Sequence, residues 1–262
     1  MELIKSKPNS SGVRHKIFIK KSLLSKTNKL FKQSIVGFKR FVGRSSLTGR
    51  ITVRHKGSGC KKKFRMIDFS SSHKNSIVIS VMYDPFRNGF VALNFDLEKS
   101  SFFRSLATNH VGPGSIQVCG INNVDLKLGN RTTLKNIPAG SVLHSLSLTE
   151  SSCLYSRSAG SFFQIIQKGV TNCKVRLSSG FVKEVPVTSF STIGSVSNLK
   201  HNLISIGKAG RNRLRGIRPS VRGIAMNPVD HCHGGRTNGG RCPSTPWGRP
   251  TKGKPTVLKK NK

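Results

Sequence analysis

The chain has 262 residues and carries 46 Lys+Arg against 9 Asp+Glu, a formal net charge of +37. That imbalance excludes a domain made to be soluble alone, for which a net charge of ~2–8 is usual, and calls for a polyanionic partner to relieve self-repulsion. A hydrophobic fraction of 35% confines the core to part of the length, six scattered cysteines do not make a secreted disulfide scaffold, and the longest strongly apolar run, Ile77–Tyr83, is of strand length.

The charge is uneven. Residues 1–66 hold 19 basic residues and a single acid, Glu2; residues 67–200 hold 13 and seven; residues 201–262 hold 14 and one, Asp230. A nearly ordinary middle is flanked by two basic arms of the kind that lie along phosphates. In the first arm the stretch from Gly49 to Arg65 reads as a strand with Arg50, Arg54 and Lys56 on one parity and His55 between them. A glycine-broken turn then brings Lys61, Lys62 and Lys63 to the same edge, ahead of Arg65. Phosphate contact requires cations fixed on a frame, and this stretch offers both.

The middle reads as all β. Val91, Leu93 and Phe95 alternate with Ala92 and Asn94; Val142, Leu146 and Leu148 share one parity with His144 between them; Val175 and Leu177 alternate with Lys174 and Arg176. Turn residues recur roughly every ten positions, at Asp84-Pro85, Gly112-Pro113-Gly114, Leu128-Gly129-Asn130, Pro138-Ala139-Gly140 and Ser178-Ser179-Gly180, the spacing of small barrels or sandwiches. A break near 125–135 divides the region into two β units. Leu199, Leu203 and Ile206, spaced i, i+4 and i+7 ahead of Gly207, predict one short helix closing the second of them.

In the second arm Arg211, Arg213, Arg215, Arg218 and Arg222 recur every two to four residues among glycines. This composition predicts extended backbone that approaches RNA closely while the guanidinium forks bind phosphates or stack on bases. Asn227, Asp230, His231, Cys232 and His233 follow, then Arg236, Arg241, Cys242 and Trp247. Asp230 beside His231 is half a catalytic triad, but no Ser or Cys stands in a nucleophile-elbow context, so enzymatic activity is not expected. His231, Cys232, His233 and Cys242 have the donor chemistry of zinc ligands. Three consecutive ligands are cramped, however, and the chain has no C-x-x-C pair, so no metal site is expected either.

The blocks GRITVRHKGSG, NIPAGS, RGIRPSVRGIAMNPVDHCHGG, TPWG and TKGK, with KPNSSGVRH near the start, run in family order along nearly the whole chain. They resemble the universal large-subunit ribosomal protein two family in its bacterial form. The resemblance implies a mainly β protein: an oligonucleotide-binding (OB) five-stranded barrel followed by an SH3-like small barrel, with basic irregular N- and C-terminal extensions. The corresponding division is 1–58 for the N-terminal extension, 59–128 for the OB-type barrel, 129–200 for the SH3-like barrel and 201–262 for the Gly/Pro-rich C-terminal extension.

The implied function is that of a structural constituent of the large ribosomal subunit. Such a protein binds large-subunit rRNA and neighbouring ribosomal proteins, supports assembly, and reaches the small subunit through an intersubunit bridge. It has no membrane partner, and no cofactor beyond Mg2+ ions of the rRNA nearby. Asn227, Asp230, His231 and His233 fall in the loop that the family sends toward the peptidyl-transferase centre. Together with the basic constellations, the resemblance assigns RNA contact to Arg50, Arg54, His55, Lys56, Lys61, Lys62, Lys63, Arg65, Arg211, Arg213, Arg215, Arg218, Arg222, Arg236, Arg241, Trp247, Lys252 and Lys254. Cys232 stands where the family usually has proline.

KPNSSGVRH matches the mature family N-terminus, so no removable leader is expected. Enrichment in Lys, Ser, Asn, Ile and Phe suits an AT-biased organellar gene. The expectation is a mitochondrial ribosome served by an organelle-encoded protein, with a bacterial or plastid origin as the alternative. The competing function is a free-standing barrel-type nucleic-acid-binding protein. That reading would want several stacking aromatics on a barrel face, against one Trp and two Tyr in the chain.

Overall fold

The computed structural model describes residues 2–22, 24–25, 35–38, 42–121, 124–148, 152–236 and 241–252. Two compact units share the chain: Met1–Arg40 with Cys60–Asn212, and Phe41–Gly59 with Arg213–Lys262. Each basic arm therefore contributes to both units.

The first unit is built of strands. In chain order these are β1 (Leu3–Lys5), β2 (Ile17–Ile19), β3 (Ile35–Phe38), β4 (Lys62–Arg65), β5 (Asn75–Met82), β6 (Val91–Asp96) and β7 (Ser101–Leu106), then β8 (Ile116–Gly120), β9 (Arg131–Thr133), β10 (Val142–Ser147), β11 (Phe163–Lys168), β12 (Asn172–Leu177), β13 (Val182–Pro186) and β14 (Phe190–Ile193). β1 pairs with β2 and β3 with β4, while the others form one sheet in the order β13-β12-β11-β10-β14-β9-β8-β5-β6-β7. The meander β5-β6-β7, with β8 returning to the other edge of β5, is the OB-type part. Strands β9 to β14 make the SH3-like part. A parallel pairing of β8 with β9, Cys119 opposite Arg131, joins the two. The mainly β fold with two successive small barrels agrees with the sequence reading.

Each barrel has its own apolar centre. Val78, Val81, Phe90, Ala92 and Ala107 fill the first. Leu143, Leu146, Phe163, Ile165, Val175 and Val185 lead a larger cluster in the second. Phe163 is fully buried, and its truncation to Ala would cost ~3–5 kcal/mol. β12 follows the predicted alternation, with Cys173 and Val175 inside and Lys174 and Arg176 outside. The turn after it closes with Leu177 N–H on Phe181 O and Gly180 N–H on Leu177 O, both 2.9 Å, and Gly180 supplies the φ of +84° that the turn requires.

Other patterns depart from the sequence reading for identifiable reasons. In β10 the register against β14 shifts between His144 and Ser147, and Ser145 takes φ +53°. The bulge turns Leu143 and Leu146 inward and leaves Val142 and Leu148 exposed, so a strict period of two fails there. β6 is covered on both faces: its polar Asn94 is buried and donates to Ser105 Oγ and Gln117 Oε1. Alternation there separates an apolar layer from a buried polar one.

The predicted helix at Leu199 is a 3-10 turn over Leu199–Leu203, with both leucines exposed. The α-helix lies further on, as α1 (Ala209–Arg215), where extended backbone was predicted. Its Ala, Leu and Arg residues are good helix formers, and only Gly210 lies within it. Gly216, at φ +85°, occupies the left-handed position just past its end. The glycines bound this helix more than they interrupt it.

Candidate nucleic-acid interface

In the second unit Arg50–Lys56 is not a strand. Gly43 at φ +75°, Gly49 at φ +65° and His55 at φ +62° turn the chain, leaving isolated bridges between Arg44 and Ile51 and between Lys56 and Ile217. Gly43 cannot be replaced freely, since a Cβ there would lie 2.4 Å from Val53 O. Gly57 N–H donates to Gly216 O at 2.8 Å and Arg218 N–H to His55 O at 3.0 Å, so the two basic stretches are stapled together through their backbones.

The result is a cleft of about 330 Å³ with Val42, Ile51, Val53 and Pro219 as apolar lining and Arg44, Arg54, His55, Lys56, Arg218 and Trp247 around it. None of the lining residues is acidic. The Arg54 guanidinium lies over the Trp247 ring, 5.0 Å from its centroid, and Trp247 is 73% exposed. A cation fixed on an open indole beside further cations suits a phosphate and an unstacked base together. Arg44 was missed in the sequence reading, because it lies ahead of the Gly49–Arg65 stretch.

The remaining predicted residues divide by exposure. Arg50, Lys61, Lys63, Arg213, Arg215, Arg222, Arg236, Arg241 and Lys252 are exposed, and Lys62 and Arg211 are half-buried. Lys61, Lys62, Lys63, Arg65 and Arg211 belong to the first unit and the others to the second. Lys62 Nζ donates to Pro85 O, and Arg211 Nη1 to Ile206 O at 2.8 Å. Arg65 differs from the rest: it is buried, with Nη1 3.8 Å from Asp84 Oδ1, and its guanidinium is committed inside the first unit. Lys254 lies outside the described residues.

The loop from Asn227 to Gly235 is closed at its base by Gly235 N–H on Met226 O, with Asp230 N–H and Gly234 N–H bonding to Asn227 O and His231 O. Asn227 and Asp230 face outward, and among the described residues Asp230 has no side-chain partner. His231 points inward, 8% exposed, its Nδ1 accepting from His233 N–H at 3.0 Å. His233 Nε2 lies 3.0 Å from Cys242 O, and Arg241 Nη1 donates to Cys232 O at 2.9 Å. An Asp-oriented catalytic histidine is not what this geometry builds.

Acids are spent inside the first unit. Asp84 is fully buried between Arg65 and Arg87. The His73 ring stacks on Phe103 with its nitrogens 2.6 Å from Asp96 and 3.1 Å from Asp68. Burial acts to raise the Asp96 carboxyl, but hydrogen bonds with His73, Glu98 N–H and Lys99 N–H outweigh it and hold the group below its ordinary value. Asp68 is also held low, burial being outweighed by Ser70 and His73. The second unit has sixteen basic residues and one acid, Asp230, so its positive field has almost no internal counterion.

The first unit is a β protein and the second carries an acid-poor, arginine-rich cleft with an open tryptophan, a surface suited to a nucleic acid. Residues 32–119 match the family described as Ribosomal Proteins L2, RNA binding N-terminal domain, and residues 127–248 match Ribosomal Proteins L2, C-terminal domain. The chain is 44% identical to Large ribosomal subunit protein uL2m of Reclinomonas americana, over 99% of this chain and 95% of the relative. It is 42% identical to Large ribosomal subunit protein uL2 of Parvibaculum lavamentivorans, over 99% and 94%. Against uL2 of Wolbachia pipientis subsp. Culex pipiens the identity is 44%, over 97% and 92%. The chain belongs to the ribosomal L2 family.

Proposed function

We propose that this chain is a structural constituent of the large ribosomal subunit, gripping large-subunit rRNA with the cleft around Arg54 and Trp247 and with the exposed arginines of the second arm. The observation that carries the reading is that cleft: four further cationic or imidazole side chains around a cation-stacked, exposed indole, with no acid in the lining. Arg65 acts within the first unit instead of on RNA. The loop carrying Asn227, Asp230, His231 and His233 serves the architecture beside the peptidyl-transferase centre, and the protein supports assembly and an intersubunit bridge. The role needs no cofactor chemistry; magnesium near the interface belongs to the RNA. The similarity to uL2m supports a mitochondrial ribosome, and the composition supports an organelle-encoded protein.

Sucrose-gradient fractionation of cell and organelle lysates tests this. The protein should sediment only with large subunits and whole ribosomes, in the mitochondrial fraction. A substantial free pool bound to other RNA would favour the free-standing binder, and large subunits of a bacterial or plastid lysate would move the compartment.

A further inference from the structure

We propose that His231, Cys232 and His233 form three ligands of a structural zinc site, completed by the Cys242 thiolate. The consecutive spacing argues against this on paper, but the tight turn changes the geometry: one donor atom from each of the three residues lies within 4.8 Å of the other two. His231 Nδ1 is 3.7 Å from Cys232 Sγ. In a tetrahedral zinc site, with Zn–N of about 2.0–2.1 Å and Zn–S of about 2.3 Å, donors stand ~3.3–3.8 Å apart, so only a modest contraction is needed.

The space between the donors is already polar. Ser244 Oγ lies 2.9 Å from Cys232 Sγ and 3.0 Å from His233 Nε2, marking a point both donors face. Cys242 is exposed and its thiol lies outside the cluster of three donors, but its carbonyl oxygen is 3.0 Å from His233 Nε2, so the residue adjoins the site and completes it on rotation of its side chain. The closed loop base and the Arg241 to Cys232 hydrogen bond hold the two segments in register.

Charge selects the ligand set. Zn2+ with two thiolates and two neutral imidazoles is neutral overall, which suits a unit with sixteen basic residues and one acid. Binding sends the two thiol protons to solvent, and each imidazole keeps one N–H. The His231 Nδ1 lone pair turns from the His233 N–H to the metal. Thiolate and imidazole donors favour zinc over the magnesium that accompanies RNA. The proposal is independent of the ribosomal reading.

The test is cobalt titration of the full-length chain in high salt without phosphate or RNA, followed by displacement with zinc. One equivalent of cobalt should bind with a thiolate-to-cobalt charge-transfer band and leave on zinc addition. Cys232→Ser should weaken binding by more than the ~10–100-fold typical of losing an outer-shell partner, and Cys60→Ser should not. Cys232→Pro removes the thiol in a second way and guards against a folding artefact; it should abolish the band while RNA binding persists. Absence of the band, or a band that survives both Cys232 substitutions, would overturn the site. Unchanged affinity in Cys242→Ser would overturn its fourth ligand.

Discussion

His231 is held by a glycine. A Cβ on Gly223 would lie 2.5 Å from His231 Cε1 and 2.6 Å from Nδ1, so the ring packs face-on against bare backbone. Gly223→Ala must push the ring out of its buried place, and overpacking of this kind costs ~1–3 kcal/mol. The expected outcome is faster hydrogen exchange at the His233 amide, which bonds to His231 Nδ1. An unchanged exchange rate would show that the glycine does not fix the ring. At this scale the sequence identified His231, Arg54, Arg218 and Trp247 as residues worth attention, because rare residue types in a basic arm stand out. It could not pair Arg54 with Trp247, since they are 193 positions apart and meet only through turns with no periodic signature. Nor could it separate Arg65, committed to Asp84, from its exposed neighbours in the same basic run.

Strand β10 shows how far an element can be read from its pattern. Its existence was legible from apolar spacing, but the bulge at Ser145 was not, because one inserted residue has no period. The bulge buries His144 between Thr108 Oγ1 and Ser145 Oγ, each 2.9 Å from a ring nitrogen. Burial, aided by the charge of Arg131, lowers its pKa from 6.5 to about 3. A depressed histidine pKa means that the unfolded chain binds the proton more readily. The penalty is absent above pH 6.5, grows as pH falls, and is complete below about pH 3, with a total on the order of 4–5 kcal/mol. The low carboxyls of Asp68 and Asp96 add a second loss further into acid, below the ordinary carboxylate value of ~3.9. Urea unfolding followed by circular dichroism should show stability falling from pH 6.5 toward 4, and His144→Gln should flatten that slope. A slope that survives the substitution would assign it to other groups.

The whole molecule divides by what holds each part. Among the described residues every buried hydrophobic side chain belongs to the first unit; the second buries His231 and depends on backbone hydrogen bonds. Two basic arms around an ordinary middle were plain from charge counting, whereas the assembly of parts of both arms into one unit was not, since it runs through bridges such as Lys56 with Ile217. A unit with no apolar core among its described residues and with sixteen cations must draw stabilisation from a polyanion, and counterion release then dominates the affinity. Binding of the full chain to a large-subunit rRNA fragment should therefore weaken steeply with salt. On duplex DNA each neutralised phosphate contributes about 0.9 to the slope of log K against log salt. If Arg50, Arg54 and Lys56 each hold one, replacing all three with Ala should lower the slope by roughly 2–3. Trp247→Ala, which removes stacking and no charge, should weaken binding at every salt concentration and leave the slope unchanged. A parallel fall in slope for Trp247→Ala would mean that the indole acts only by positioning Arg54, and an unaltered slope in the triple variant would move the electrostatic footprint out of the cleft.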